Sequence, residues 1–165
     1  MPRYDVPKAA PEPLRQVQLL INSCDLHSGD EWLPGWLTER GLGEAELERA
    51  RELREALRAL VLANNGFPLD DGALAAVNRA AARVSLRVEA PGRVRLGADG
   101  DALDQVVAVA LGAMLDGSWG RLKACRNCNW SFHDYSPNRS ATWCSMQICG
   151  NRTKTRAYRR RRTAV

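Results

Sequence analysis

Four cysteines spaced Cys125-x2-Cys128-x15-Cys144-x4-Cys149 restrict this chain more than any other feature. Two sulfurs separated by two residues meet at one metal across a tight turn, as in a zinc knuckle. The second pair is wider. At about 100° per residue, positions 144 and 149 stand roughly 140° apart around a regular helix, so they cannot share a helical face. Cys144 is therefore expected in the turn before a helix, and Cys149 in that helix's distorted first turn. Four thiolates around one Zn2+ ion leave no position for water or substrate, which makes such a site structural. The ion also stabilises a segment too small to bury a core alone. The fifth cysteine, Cys24, lies far away on an apolar stretch and reads as a core thiol.

A four-thiolate centre is net negative. Arg126, Arg152 and the backbone N–H groups of Gly150 and Asn151 are expected to offset that charge. Gly150 is expected to let the backbone approach a sulfur closely. Trp130, Phe132, Tyr135 and Trp143, between and beside the cysteine pairs, are expected to supply apolar mass, with base stacking as the alternative use.

Charge divides the chain at the same place. Residues 1–120 carry 13 Lys/Arg against 18 Asp/Glu, a balance of −5, whereas residues 121–165 carry 11 Lys/Arg against Asp134 alone, a balance of +10. Such asymmetry points to a polyanionic partner for the C-terminal segment. After Cys149 comes "GNRTKTRAYRRRRTAV", which has no apolar stripe and so cannot be a core helix. On a helix, Arg152, Arg156, Arg159 and Arg160 share one side, and Lys154, Tyr158, Arg161 and Arg162 the other. Like charges four apart repel, so the last turns are expected to fray alone and to order on phosphates. Arginine suits phosphate and guanine edges through its planar fork. Arg139, in the loop "SPNRS", is a further candidate phosphate contact.

Catalysis has little to stand on. "HDYSPN" is thinly similar to pieces of His-Asn-His nucleases, but His133 and Asp134 are the only late residues of their kinds, and a second metal would need more ligands. There is no glycine-rich phosphate loop, so no catalytic residue is assigned and the protein is not expected to be an enzyme.

The first 118 residues predict about five helices and one hairpin. "EPLRQVQLLINSCD" turns Leu14, Val17, Leu20 and Ile21 to one face, and Pro34 opens a short helix ended by Gly41 or Gly43. "EAELERARELREALRALVLANNG" carries the stripe Leu47, Ala50, Leu53, Leu57, Leu60 and Val61 until "NNG" stops it. Its charges, Arg54 and Arg58 among them, read as a solvated side. "DDGALAAVNRAAAR", capped by Asp70 or Asp71, is expected to bury Leu74, Val77 and Ala81. Val84, Leu86 and Val88 alternate, as do Val94 and Leu96, around "APGR", a hairpin signal. "DALDQVVAVALGAMLDG" is apolar nearly all round and is expected at the centre. No apolar run nears the roughly 20 residues that span a bilayer, so no membrane partner is expected. The start lacks a signal-type apolar stretch, which makes the cytoplasm the expected compartment.

"CRNCNWSFHDYSPNRSATWCSMQICGNRTKTRAYRRR" resembles the CGNR zinc finger, named for Cys149-Gly150-Asn151-Arg152. "LLINSCDLHSGDEWLPGWLTERGL", "ARELREALRAL" and "LAAVNRAAAR" resemble the ABATE domain that precedes this finger in bacterial proteins, although "INSCD" stands where that family more often has "VNT". The resemblance implies a stress-related bacterial transcription regulator whose finger binds DNA. It also singles out Asn22, Asp25 and Asn78, polar residues on apolar helices. These read either as caps and interhelical hydrogen bonds or, with Trp32 and Trp36, as an effector pocket.

The expected architecture is α+β and mostly helical. Residues 1–118 form an ABATE-like helical domain with one β-hairpin, and residues 119–165 a CGNR-type finger ending in a basic helix. The expected cofactor is one structural Zn2+ on Cys125, Cys128, Cys144 and Cys149. The expected partner is double-stranded DNA, gripped by Arg139, Arg152, Lys154, Arg156, Arg159, Arg160, Arg161 and Arg162. An RNA-binding module and a protein-interaction adaptor are the alternatives, and a homodimer and a small-molecule effector stay open.

Overall fold

The computed structural model describes residues 8–163. Five helices form the N-terminal part: α1 (Arg15–Ile21), α2 (Leu33–Thr38), α3 (Leu47–Ala63), α4 (Asp71–Ala81) and α5 (Ala102–Asp116). The expected hairpin is β3 (Ser85–Glu89) with β4 (Arg93–Gly97), paired Leu86 to Leu96 and Val88 to Val94. A two-residue pair, β1 (Cys24–Asp25) with β2 (Asp30–Glu31), is too short to carry a periodicity that sequence could show. The finger adds β5 (Leu122–Ala124) paired with β6 (Ser131–His133), a π-helical turn over Met146–Gly150, and α6 (Asn151–Thr163).

The helix boundaries follow local chemistry. The Asp70 side chain accepts from Ala73 N–H at 2.6 Å, and that of Asp101 from Leu103 N–H at 2.9 Å, so each caps its helix. Gly117, at φ +80°, closes α5 in the left-handed conformation that suits glycine. Core residues follow the predicted stripes: Val17, Leu20 and Ile21 of α1, Leu57 and Val61 of α3, and Leu103, Val106 and Val107 of α5 are all at most 1 % exposed. On α4 the buried pair is Ala73 and Val77. Leu74 and Ala81, expected inside, are only half-buried, because α4 packs as an outer layer on α3 and α5. The apolar face of the hairpin stays largely open, with Leu86, Val88 and Val94 exposed.

Arg54 and Arg58 correct the sequence reading. They lie inside the core layer of α3, not on a wet side. Arg54 donates to Glu31 at 2.6 Å and Glu55 at 2.8 Å, while Arg58 donates to Glu55 at 2.6 Å and to the Ile21 carbonyl at 2.6 Å. Burying a guanidinium is tolerable only with such partners. Glu31 and Ile21 come from elsewhere in the chain, so spacing within α3 could not reveal them.

The finger is docked closely. Trp119, Leu122 and Ala124 belong to the same buried core as α3 and α5. "NNG", read as a helix stop, is also a clasp: Asn64 Nδ2 donates to the Trp119 and Leu122 carbonyls at 2.9 and 2.8 Å. Asn65 Nδ2 likewise donates to those of Ala124 and Thr142 at 2.7 and 3.0 Å. Among the described residues no helix is long and apolar enough to cross a membrane.

Candidate metal centre and basic helix

The knuckle turns at Asn129, which adopts φ +57°, a left-handed conformation that asparagine tolerates well. This returns the chain from Cys125 and Cys128 into β6. Cys144 stands in irregular backbone, and Cys149 falls inside the π-helical turn, where Gly150 N–H donates to the Ser145 carbonyl five residues back at 3.1 Å. The wide x4 spacing is thus absorbed by a distorted turn, as the angular argument required. The Ser145 hydroxyl caps that turn through Ile148 N–H at 3.3 Å.

The four Sγ atoms lie within 4.8 Å of one another, and all four residues are buried. The sulfurs of Cys128, Cys144 and Cys149 are mutually 3.6 Å apart. A regular tetrahedron with Zn–S bonds of about 2.3 Å needs sulfur separations of about 3.8 Å, so the donor set fits one zinc ion. As free thiols, Cys125 and Cys128 do not ionise together. Hydrogen bonds from Cys128 and Cys144 hold the Cys125 thiol far below its usual range, while Cys125 pushes Cys128 up to about 12. Zinc takes the place of those protons.

The charge of the centre is met differently from expectation. Asn127 donates to it twice, from its backbone N–H to Cys125 Sγ and from its side-chain amide to Cys149 Sγ, both at 3.5 Å. Arg126 instead turns to the Asn65 carbonyl at 2.8 Å, and Arg152 faces His27 Nε2 at 3.4 Å. Gly150 also serves another purpose than expected: a Cβ there would stand 2.7 Å from Trp143 Cδ1 and overlap the Met146 sulfur. The close neighbour is a methionine sulfur and an indole, not a cysteine.

Around the centre, Trp130 and Phe132 are buried and Trp143 packs beside them, so these rings serve as core. Tyr135 does not. It is exposed, meets the His133 ring at a tilt with centroids 4.4 Å apart, and donates from its hydroxyl to the Ala9 carbonyl at 2.6 Å. His133 is buried, and that burial lowers its pKa. Asp134 is fully buried and accepts from Lys123 Nζ at 2.7 Å. The same Lys123 donates to the carbonyls of Arg139 and Ala141, and Arg139 itself adopts a left-handed backbone at φ +50°. Lys123, read from sequence only as one more basic residue, is therefore a buried hub of the finger.

Asn22, Asp25, Trp32, Trp36 and Asn78 do not converge. Asn22 is spent on the Ser131 backbone, and Asp25 accepts from His27 N–H at 2.8 Å. Trp32 packs on the finger's own core, while Trp36 is buried under the Arg40 guanidinium, 4.1 Å from its ring. Asn78 is exposed on α4, which packs on α3 and α5 rather than on α1. The hydrogen-bonding alternative fits Asn22 and Asp25, with the partner of Asn22 in the finger rather than on another helix.

Over residues 151–162, α6 is exposed except at Thr153 and Ala157, which are half-buried. Its helical span runs through Thr163. Its base is held by Thr153, which donates to the Cys149 carbonyl at 2.9 Å, and by Arg156, which donates to Asn127 Oδ1 at 3.1 Å. Arg139 is exposed in its loop.

No curated protein matches the chain. Two family models do: residues 121–162 match the CGNR zinc finger, and residues 20–118 match ABATE, described as "Putative stress-induced transcription regulator". The first supports the four-sulfur site as a structural zinc centre, and the second covers 99 of the 165 residues. The protein belongs to the ABATE family and carries a CGNR zinc finger after the ABATE region.

Proposed function

We propose that this protein is a DNA-binding transcription regulator in which zinc holds α6 out from the body as a basic probe for duplex DNA. The observation that carries the reading is the pairing of a closed four-sulfur centre with a helix whose Lys and Arg side chains are all exposed. The centre does no chemistry in this reading. Arg152, Lys154, Arg156, Arg159, Arg160, Arg161 and Arg162 meet phosphates and base edges, and Arg139 adds a contact from its loop. Residues 119–165 form the reader, and residues 1–118 sense an effector or pair with a second copy in the cytoplasm.

Duplex DNA suits α6 better than duplex RNA. The DNA major groove is about 12 Å wide and admits a helix of about 10–12 Å diameter, whereas the deep, narrow major groove of A-form RNA excludes side chains. The test is selection of genomic DNA fragments by purified zinc-loaded protein at near-physiological salt, with structured RNA as competitor. Enrichment of a few loci sharing a motif is expected. Preference for the RNA, or indifference to both nucleic acids, overturns the reading in favour of an RNA-binding module or a protein adaptor.

A further inference from the structure

The outward ridge of α6 is not made of arginine alone. Thr153 and Ala157, the half-buried positions, mark the side turned to the finger. At about 100° per residue, the opposite direction falls on Thr155, with Asn151, Arg159 and Arg162 within roughly 40° of it. Tyr158, Lys154 and Arg161 follow in turn on one side of this ridge, and Arg152 and Arg156 on the other. A shallow groove along it begins in the π-helical turn, at Gln147 and Ile148, and continues past Asn151 and Thr155 to Arg159. Among the described residues, the side chains of Gln147, Asn151 and Thr155 bond no protein group.

Neutral amides and a hydroxyl add nothing to counterion release, so a face that only gripped phosphate would have no use for them. Their chemistry is that of base edges. An Asn or Gln amide pairs in bidentate fashion with adenine N6 and N7, and threonine offers a hydroxyl to a base edge and a methyl to that of thymine. A helix seated in the major groove puts its outermost ridge on the bases and its two flanks on the phosphate walls. On α6 the neutral polar residues share the ridge with Arg159 and Arg162, and further cations occupy both flanks.

We infer that Asn151 and Thr155 read base edges in the major groove of double-stranded DNA and set the sequence preference of α6, with Gln147 extending the contact. The inference rests on the DNA-binding reading above. Asn151 points to adenine at its step of the site, and the flanking cations supply affinity without choosing sequence.

The experiment is selection from a random duplex library by full-length zinc-loaded protein, comparing wild type with Asn151→Ala, Thr155→Ala and Arg161→Ala. Alanine favours helix, and both ridge positions are exposed, so folding is expected to survive; zinc content and helical circular dichroism check this. Wild type should yield a motif containing adenine. Asn151→Ala should lose the preference at that position, cutting the ratio of specific to non-specific affinity roughly ten-fold or more. Arg161→Ala should weaken all duplexes alike and leave the motif intact. The same motif from Asn151→Ala and Thr155→Ala, or wild-type binding without any motif, overturns this inference and leaves DNA binding standing. No binding of any duplex by folded, zinc-loaded wild type overturns both.

Discussion

Asn22, at the C-terminal end of α1, brackets the backbone of Ser131 in β6: its Nδ2 donates to the Ser131 carbonyl at 2.9 Å, and its Oδ1 accepts from Ser131 N–H at 2.8 Å. Both residues are buried, and 109 positions of sequence separate them. A second donor, Gln18 Nε2, reaches the same carbonyl at 3.0 Å, while the Gln18 oxygen accepts from Ala10 N–H at 2.6 Å. Asn22 thus pairs both polar groups of a buried strand edge, and Gln18 shares the carbonyl with it. The helical region and the finger share this joint.

Removing the bracket should cost stability. Asn22→Ala leaves Ser131 N–H buried without its acceptor, whereas the carbonyl keeps Gln18. The expected loss is about 1–3 kcal/mol, read from urea unfolding of the zinc-loaded protein. An unchanged midpoint would show that water replaces the amide at no cost.

The Lys123–Asp134 pair makes a pH-dependent contribution. Burial alone would raise the Asp134 pKa, but hydrogen bonds from Lys123 and Ser136 outweigh it and hold the carboxyl at about 2, against 3.8 for an ordinary aspartate. A depressed carboxyl stabilises the fold above its unfolded value and loses that contribution as pH falls through the folded one. The window therefore runs from about pH 4 down to about pH 2, and the amount is about 2 kcal/mol. Comparing wild type with Asp134→Asn across it isolates this from zinc release, which affects both. The gap between them should close as pH falls; a constant gap counts against the assignment. Lys123→Ala, which strands the buried carboxylate, should cost about 3–5 kcal/mol near neutral pH.

Loss of one sulfur should dismantle the finger selectively. Cys128→Ser, or chelation of the wild type, is expected to release zinc, melt α6 and shift the emission of Trp130 and Trp143. Helices α1 to α5 should keep most of their circular dichroism. Because the thiols must lose protons to bind, zinc affinity should also fall as pH is lowered. Nucleic-acid binding that persisted in Cys128→Ser would mean that the metal does not shape the binding surface.

The tail can be tested through salt. Ending the chain after Arg156 removes Arg159, Arg160, Arg161 and Arg162. Every phosphate that is no longer neutralised should flatten the slope of log affinity against log salt by about 0.9, so a decrease of up to about 4 is expected. An unchanged slope places the binding surface elsewhere.

The CxxC knuckle, the distorted turn at Cys149, the charge boundary near residue 120 and the helical stripes were all legible because each is local. Sulfur spacing, helical periodicity and charge density follow from neighbours a few residues apart along the chain. Arg54 and Arg58 were misread, and the further roles of Lys123 and of the "NNG" helix stop stayed hidden, for the opposite reason. In each case the deciding partner lies in another element: Glu31 for Arg54, the Ile21 carbonyl for Arg58, Asp134 for Lys123, and the β5 carbonyls for Asn64 and Asn65. A buried polar side chain is stable only with its hydrogen bonds made, and spacing along one helix does not say which distant group makes them. Cysteine spacing and charge density alone foretell a metal-organised C-terminal segment and a cationic helix after it. The joint between Asn22 and Ser131 emerges only on folding, because the end of α1 and strand β6 must be packed together before the amide meets that backbone.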